Sequence, residues 1–384
     1  MQRLGLYIHI PFCKRKCNYC DFYSCTKLDN IKSYIDALLK QIVIDAPLYR
    51  DYEFDTIFIG GGTPSLLEPN DFERLTDAIK NNLNLTQGLE FSLEANPGTL
   101  TREKLLAYEK GGVNRLSMGL QSTFDNELKT LGRIHTYDEF VKNFNLAREC
   151  GFDNISIDVM YSLPNQKTND LLTTLERVSS LNPEHISSYC LKIEEKTPFG
   201  KIKDKLMLPN EDEEYEMYIS MCDYLNKKGY LQYEISNFAR AGYESKHNLK
   251  YWQSEEYIGI GPSAHSFFGG ERYYYQDNLT DYISTILKGN SPEKIFEKEL
   301  EIEHSVAHIS KEDEYVMLKM RLSSGINTEE FKTRFGKEFL NSYPAVEKYI
   351  KSGHIVLLNN SYKFTPQGFF VSNYILTDIL RFEN

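Results

Sequence analysis

Strand-like and helix-like hydrophobic patterns alternate through the first half of this 384-residue chain, and that alternation limits the fold more than any other feature. Short apolar runs that suit buried strands fall at residues 4–10, 55–60, 89–95, 113–119, 154–159 and 185–191. Amphipathic helical patterns separate them at 31–44, 71–83, 101–110, 137–150 and 168–181. Strands spaced by ~30 residues with helices between them imply right-handed crossovers and a parallel sheet. An open doubly wound sheet and a full or partial barrel both satisfy this periodicity.

The turns after the strands favour a barrel. The first strand runs into a cysteine cluster and the second into Gly60-Gly61-Gly62-Thr63-Pro64. The next three end in Glu94-Ala95-Asn96-Pro97, Gly119-Leu120-Gln121-Ser122 and Asp158-Val159-Met160-Tyr161-Ser162-Leu163-Pro164. A parallel barrel gathers its site at the C-terminal ends of its strands, whereas an open sheet concentrates it at one switch point. Five successive polar or glycine-rich turns suit one shared mouth. The expected fold class is therefore α/β, a barrel followed by something smaller.

Beyond about residue 200 the alternation stops. A helix is expected over 210–229, then a dense polar and aromatic stretch over 233–265. A second domain is expected over 296–384, leaving 1–295 for the barrel and its extension. It shows helical patterns near 312–322, 328–335 and 345–351, then short strands at 355–358 and 362–364 joined by Asn359-Asn360, a good hairpin turn. Helices followed by a β-wing suggest a small α+β, winged-helix-like module. Its residues 311–384 hold ten Lys and Arg against nine Asp and Glu, so no basic recognition helix stands out.

The net charge of −11 argues against a dominant nucleic-acid partner. No run of ~18 apolar residues is present, so no transmembrane segment is expected, and the composition is compatible with transient contact with a membrane surface. The N-terminal apolar run is too short for a signal sequence, and a cytoplasmic protein is expected. Seven cysteines, three of them crowded into eight positions, do not suit a disulfide framework.

Those three, Cys13, Cys17 and Cys20, form a Cys-x3-Cys-x2-Cys loop. Thiolates are the soft ligands that iron–sulfur clusters need, and three of them leave one corner of a cubane open. A zinc site lacking its fourth ligand and free buried thiols are the rival readings. Lys14, Arg15 and Lys16 either offset cluster charge or are solvated.

With Tyr19 before the third cysteine, the loop resembles the radical S-adenosylmethionine (SAM) signature. The preceding Tyr7-Ile8-His9-Ile10-Pro11-Phe12 is similar to the group around oxygen-independent coproporphyrinogen III dehydrogenase. The Gly-Gly-Gly-Thr-Pro turn, Glu94, Gln121, Arg133 and Asp158 agree with that group in type and order. The resemblance spans nearly the whole chain. It implies a partial (βα)6 radical SAM barrel, a [4Fe–4S] cluster on Cys13, Cys17 and Cys20, and SAM chelating the open iron. It also implies an electron donor and release of a 5′-deoxyadenosyl radical, if turnover is retained. Gly61, Gly62 and Thr63 would let the backbone meet the methionine amino group, glycine removing the Cβ obstruction. Glu94 would accept from a ribose hydroxyl or that amino group. Tyr7 would sit near the sulfonium, and Gln121, Arg133 and Asp158 would correspond to residues that hold a second SAM. Ser162 departs from the glycine common there.

Two features separate branches of the group. Dehydrogenases carry a further cysteine two residues after the third cluster cysteine, where this chain has Phe22. The stretch His247-Asn248-Leu249-Lys250-Tyr251-Trp252 contains the only tryptophan and resembles a motif of the heme chaperone branch. That likeness implies heme binding through His247, Asn248, Tyr251 and Trp252, with His265 as a second candidate ligand, and transfer of heme to acceptor proteins. Imidazole is a good iron ligand and the aromatic rings can cover a macrocycle. A hydrogen-bonded core histidine beside a packed tryptophan is the bland reading. Coproporphyrinogen III decarboxylation and another radical SAM reaction are the alternative functions.

Overall fold

The computed structural model describes residues 1–289 and 310–380. The expected boundary at 295/296 lies outside the described residues. Six strands, β1 (Gln2–Ile10), β2 (Tyr52–Gly61), β3 (Leu85–Ala95), β4 (Arg115–Gln121), β5 (Ile155–Tyr161) and β6 (His185–Cys190), pair in chain order, all parallel. Crossover helices α1 (Ile31–Asp45), α2 (Pro69–Asn82), α3 (Arg102–Gly111), α5 (Tyr137–Glu149) and α6 (Thr168–Ser180) join them. The fourth crossover also holds a short helix, α4 (Asp125–Leu131), that the sequence patterns do not suggest. The partial six-unit barrel is thus present.

Both edges are extended. Beyond β6 lie β8 (Asn237–Ala239) and β7 (Leu231–Gln232), both running antiparallel to their neighbours. Beyond β1 lie β9 (Tyr257–Ile260), parallel to it, then the antiparallel hairpin β10 (His265–Phe268) and β11 (Glu271–Tyr274). Helix α7 (Glu211–Lys227) packs on α6, α8 (Lys246–Gln253) lies between β8 and β9, and α9 (Leu279–Leu287) packs on α1.

Strand alternation divides the molecule into two environments. Leu6 and Ile8 of β1, Leu116 and Met118 of β4 and Ile157 and Val159 of β5 are buried under the helices in the hydrophobic core. Their neighbours Tyr7, His9, Arg115, Ser117, Gly119, Gln121 and Asp158 point the other way, into the lumen. The lumen is therefore polar, and the polar turns cluster at its mouth.

The C-terminal part holds helices Lys311–Lys319, Thr328–Phe335 and Val346–Lys351 and a three-stranded sheet in which Ile355–Leu358 and Ser361–Phe364 form the wing. Asn359 and Asn360 have φ of 52° and 58°, the left-handed pair a tight type I′ turn requires. The hydrophobic core runs on from the barrel through Met217 and Tyr218 into Phe369 and Ile375. Arg272 pairs with Glu314 at 2.5 Å across the same junction. Among the described residues no helix is long and apolar enough to cross a membrane.

Candidate functional site

A cavity of about 1440 Å³ fills the barrel mouth and reaches the C-terminal domain. At one side sits the loop after β1. It is pinned by backbone bonds from Cys13 N–H to Cys25 O (2.9 Å), Cys25 N–H to Pro11 O (2.8 Å) and Asn18 N–H to Leu131 O (2.9 Å). Tyr19 anchors it from beneath, in a small apolar cluster with Leu131, Met160, Leu163, Leu191 and Phe199. All seven cysteines are free. Cys13, Cys17 and Cys20 are partly exposed and all line the cavity.

Two of their sulfurs are joined by a relay the sequence reading did not assemble. Thr63 Oγ1 donates to Cys13 Sγ at 3.6 Å, and Asn96 Nδ2 donates to Thr63 Oγ1 at 2.9 Å. Arg133 then donates to Asn96 Oδ1 (2.5 Å), Gly119 O (2.6 Å) and Cys17 Sγ (3.7 Å). Asn96, at the third polar turn, is the keystone that pattern reading left without a role. Burial pushes the Cys20 thiol up to about 11 and raises Cys13 as well. Binding a cluster therefore has to displace protons, and the donors from Thr63 and Arg133 favour the thiolate. Among the described residues no three His, Cys, Asp or Glu side chains converge as around a single ion. A cubane instead takes each thiolate at its own corner.

The glycine turn after β2 leaves no room for side chains. A Cβ on Gly62 would lie 2.7 Å from Phe12 O and 2.9 Å from Ile10 O, and one on Gly61, whose φ is 110°, would strike the His9 ring at 2.6 Å. Gly61 N–H donates to Glu94 Oε2 (3.0 Å) and Gly62 N–H to Ile10 O (2.9 Å). Both amides are thus used internally, which leaves acceptors, not donors, for an incoming amino group.

Glu94 is half-buried in the lumen wall, and desolvation there, with Asp158 nearby, pushes its carboxyl up to about 8. Burial also raises Asp158, opposed by hydrogen bonds from Ser187 and Ser117. Ser117 Oγ lies 2.9 Å from Asp158 Oδ1. Tyr7 donates to or accepts from His9 Nδ1 at 2.9 Å and stacks on Phe58. Gln121 has φ of 75° and lines the same wall. Ser162 also takes a left-handed φ, 61°, and donates to Glu214 at 2.9 Å.

The same cavity is lined by the aromatic motif on α8. Asn248, Tyr251 and Trp252 line the cavity, as does His265 on β10, which is exposed and stacks on Tyr274 at 5.0 Å. His247 departs from expectation. It is fully buried, with Nδ1 bonded to Thr56 Oγ1 (2.8 Å) and Nε2 to Tyr251 Oη (2.7 Å), and it stacks on Phe58. Burial, with Lys250 and Arg115 adding to it, lowers its pKa to about 3. Both ring nitrogens are occupied, so this imidazole does not face the cavity but holds the Tyr251 ring that does. Helical spacing explains it: residues four apart share a face, and the 247/251 face of α8 turns toward β2.

Residues 7–178 match the Radical SAM superfamily and residues 311–371 the HemN C-terminal domain. The overall structure superposes on coproporphyrinogen III oxidase of Escherichia coli, a radical SAM enzyme, with a TM-score of 0.83 at 23% identity, over 100% of this chain and 91% of that one. Fold and cysteine loop thus define a radical SAM protein with a HemN-type C-terminal domain. The sequence is 37% identical over 372 residues to the heme chaperone HemW of Bacillus subtilis, covering 96% of each chain. It is 34% identical over 376 residues to that of Escherichia coli, covering 97% of each. The chain belongs to the HemW heme chaperone family.

Proposed function

We propose that the protein binds heme at the Tyr251–Trp252–His265 side of the barrel mouth and passes it to acceptor proteins. The observation that carries this reading is one continuous cavity lined both by the thiol loop and by accessible aromatic rings and an exposed imidazole. Its volume exceeds the ~300–1,000 Å³ usual for a single small-molecule site, which leaves room for two ligands. Tyr251 and Trp252 offer apolar faces to the macrocycle, Asn248 a polar contact, and His265 the reachable imidazole. His247 acts behind them, fixing the Tyr251 hydroxyl.

Cys13, Cys17 and Cys20 are the residues suited to hold a [4Fe–4S] cluster, with Thr63 and Arg133 stabilising thiolate charge. Tyr7, Tyr19, Gly61, Gly62, Thr63, Glu94, Gln121, Arg133 and Asp158 surround the space suited to SAM. Bound there, the two supply one-electron reductive cleavage of a sulfonium C–S bond. Glu94, protonated in part at neutral pH, can donate to or accept from a ligand hydroxyl. The polar lumen orients the ligand, while Tyr19 and its apolar neighbours limit water beneath the loop. A cytoplasmic setting, a one-electron donor and protein acceptors complete the reading; no nucleic-acid partner is expected.

Phe22 supports a chaperone over a coproporphyrinogen III dehydrogenase. It stands at the mouth, 70% exposed, where the dehydrogenases are expected to have cysteine. Heme titration by Soret absorbance, run beside an anaerobic coproporphyrinogen assay with SAM and reductant, tests both readings. Saturable heme binding without porphyrin product is expected; robust turnover would promote the dehydrogenase.

A further inference from the structure

The C-terminal domain contributes a cation to the aromatic side of the cavity. Arg321, just after the helix Lys311–Lys319, lines the cavity together with Ser372 and Asn373. Its guanidinium carbon lies 5.9 Å from the centroid of the Trp252 ring. One terminal nitrogen donates to Asn373 Oδ1 at 2.9 Å. A guanidinium has five N–H donors in a fork that matches a carboxylate, so most of its capacity remains.

The acid that acts on it is a weak counter-ion. Glu234 is 1% exposed, and burial pushes its carboxyl up to about 7, opposed by hydrogen bonds from Ser236 and Asn237 and by Arg321. Its Oε2 accepts from Ser236 N–H at 3.1 Å. It is only partly ionised at neutral pH, and it bonds to its own loop. A cation held against the single tryptophan, in a cavity wall, with fork donors to spare and little countercharge, is arranged for an anionic ligand group.

We propose that Arg321 takes a carboxylate of the tetrapyrrole whose ring lies against Trp252, so that the C-terminal domain completes the ligand site. This inference rests on the heme reading. A flat apolar disc with carboxylates on one edge meets an aromatic face and a guanidinium over that same face, and the two contacts together fix its orientation. Lys14, Arg15, Lys16 and Lys192 also line the cavity, from the cluster side. They are solvent-exposed and lack the aromatic partner, so they serve as the comparison.

The test titrates heme and heme dimethyl ester into the full chain, wild type and Arg321→Gln, with Arg321→Lys and Lys16→Gln alongside. Thermal melts show that the variants are folded. A charge-assisted bidentate contact predicts about a tenfold loss of heme affinity in Arg321→Gln. Binding of the ester should not change, Arg321→Lys should recover part of the loss, and Lys16→Gln should titrate like wild type. Equal heme affinity in wild type and Arg321→Gln overturns the inference. So does an equal loss for heme and ester, which would mark a structural role. Absence of saturable heme binding in wild type overturns the functional reading itself, and the inference with it.

Discussion

A buried imidazole with both nitrogens hydrogen-bonded serves stability, whereas an exposed one at a cavity wall can be reached by a ligand. His247→Ala should therefore cost about 2–4 kcal/mol, since it opens a cavity and strands the Thr56 and Tyr251 hydroxyls. Urea denaturation measures this; a loss within about 0.5 kcal/mol would contradict the bracing role. His265→Ala should stay within about 0.5 kcal/mol of wild type yet change the Soret band of bound heme. An unchanged Soret band would remove His265 from the site. The pH dependence has a definite sign. His247 is held near pKa 3, below its ordinary 6.5, so protons favour the unfolded chain. Its contribution is complete above pH 6.5 and is lost as pH falls from there toward about 3. Between pH 6 and 5, the slope of stability against pH should be shallower in His247→Ala, by up to about 1.4 kcal/mol per pH unit. Parallel slopes would show that His247 does not titrate in this way.

At the scale of elements, the loop after β1 and the turn after β2 act as one unit, because Gly62 N–H bonds Ile10 O and Thr63 reaches Cys13. Gly62→Ala should force backbone against backbone, at a cost of about 1–3 kcal/mol, and lower the iron and sulfide content of reconstituted protein. Normal content would show that the turn does not shape the loop. Cys17→Ser should abolish the cluster, whereas Cys25, Cys150, Cys190 and Cys222 should each be replaceable, as iron analysis and Mössbauer spectra would report. A full cluster in the triple variant of Cys13, Cys17 and Cys20 would refute the ligand assignment. This unit was legible in the sequence because its chemistry is local: a cysteine spacing, a glycine run and an apolar strand. The expected helix over 328–335 and the Asn359-Asn360 turn were legible for the same reason. Strands β7 to β11 were not, being only two to four residues long, so that little apolar periodicity accumulates in them. A buried, hydrogen-bonded His247 was one of two readings open in the sequence, and what selects it is Thr56, 191 positions away, turning to meet the ring. Asn96 was visible as a polar turn residue, but its link between two thiols needs three strands in register.

Across the whole molecule, the core passes without a break from barrel to C-terminal domain, and the single tryptophan sits where they meet. Tyr215 and Tyr218 of α7 pack on Phe370 from the other side of that junction, at 5.3 and 5.8 Å. Such continuity favours one cooperative unfolding transition over separate melting of two units. Trp252 can report on both events of interest, since no other indole contributes to the signal. Heme added to native protein should quench its emission saturably, because an absorbing macrocycle stacked on the ring lies well within energy-transfer range. The binding constant from quenching should match that from the Soret band. Trp252→Phe should weaken binding only mildly, as most stacking area is kept. In the absence of heme, the Trp252 emission and far-ultraviolet dichroism should follow a single urea transition. Quenching that never saturates would show that heme associates without this site. A fluorescence transition clearly earlier than the dichroism would show that the two domains part first, and that the wall shared by Trp252 and Arg321 is the weakest seam in the fold.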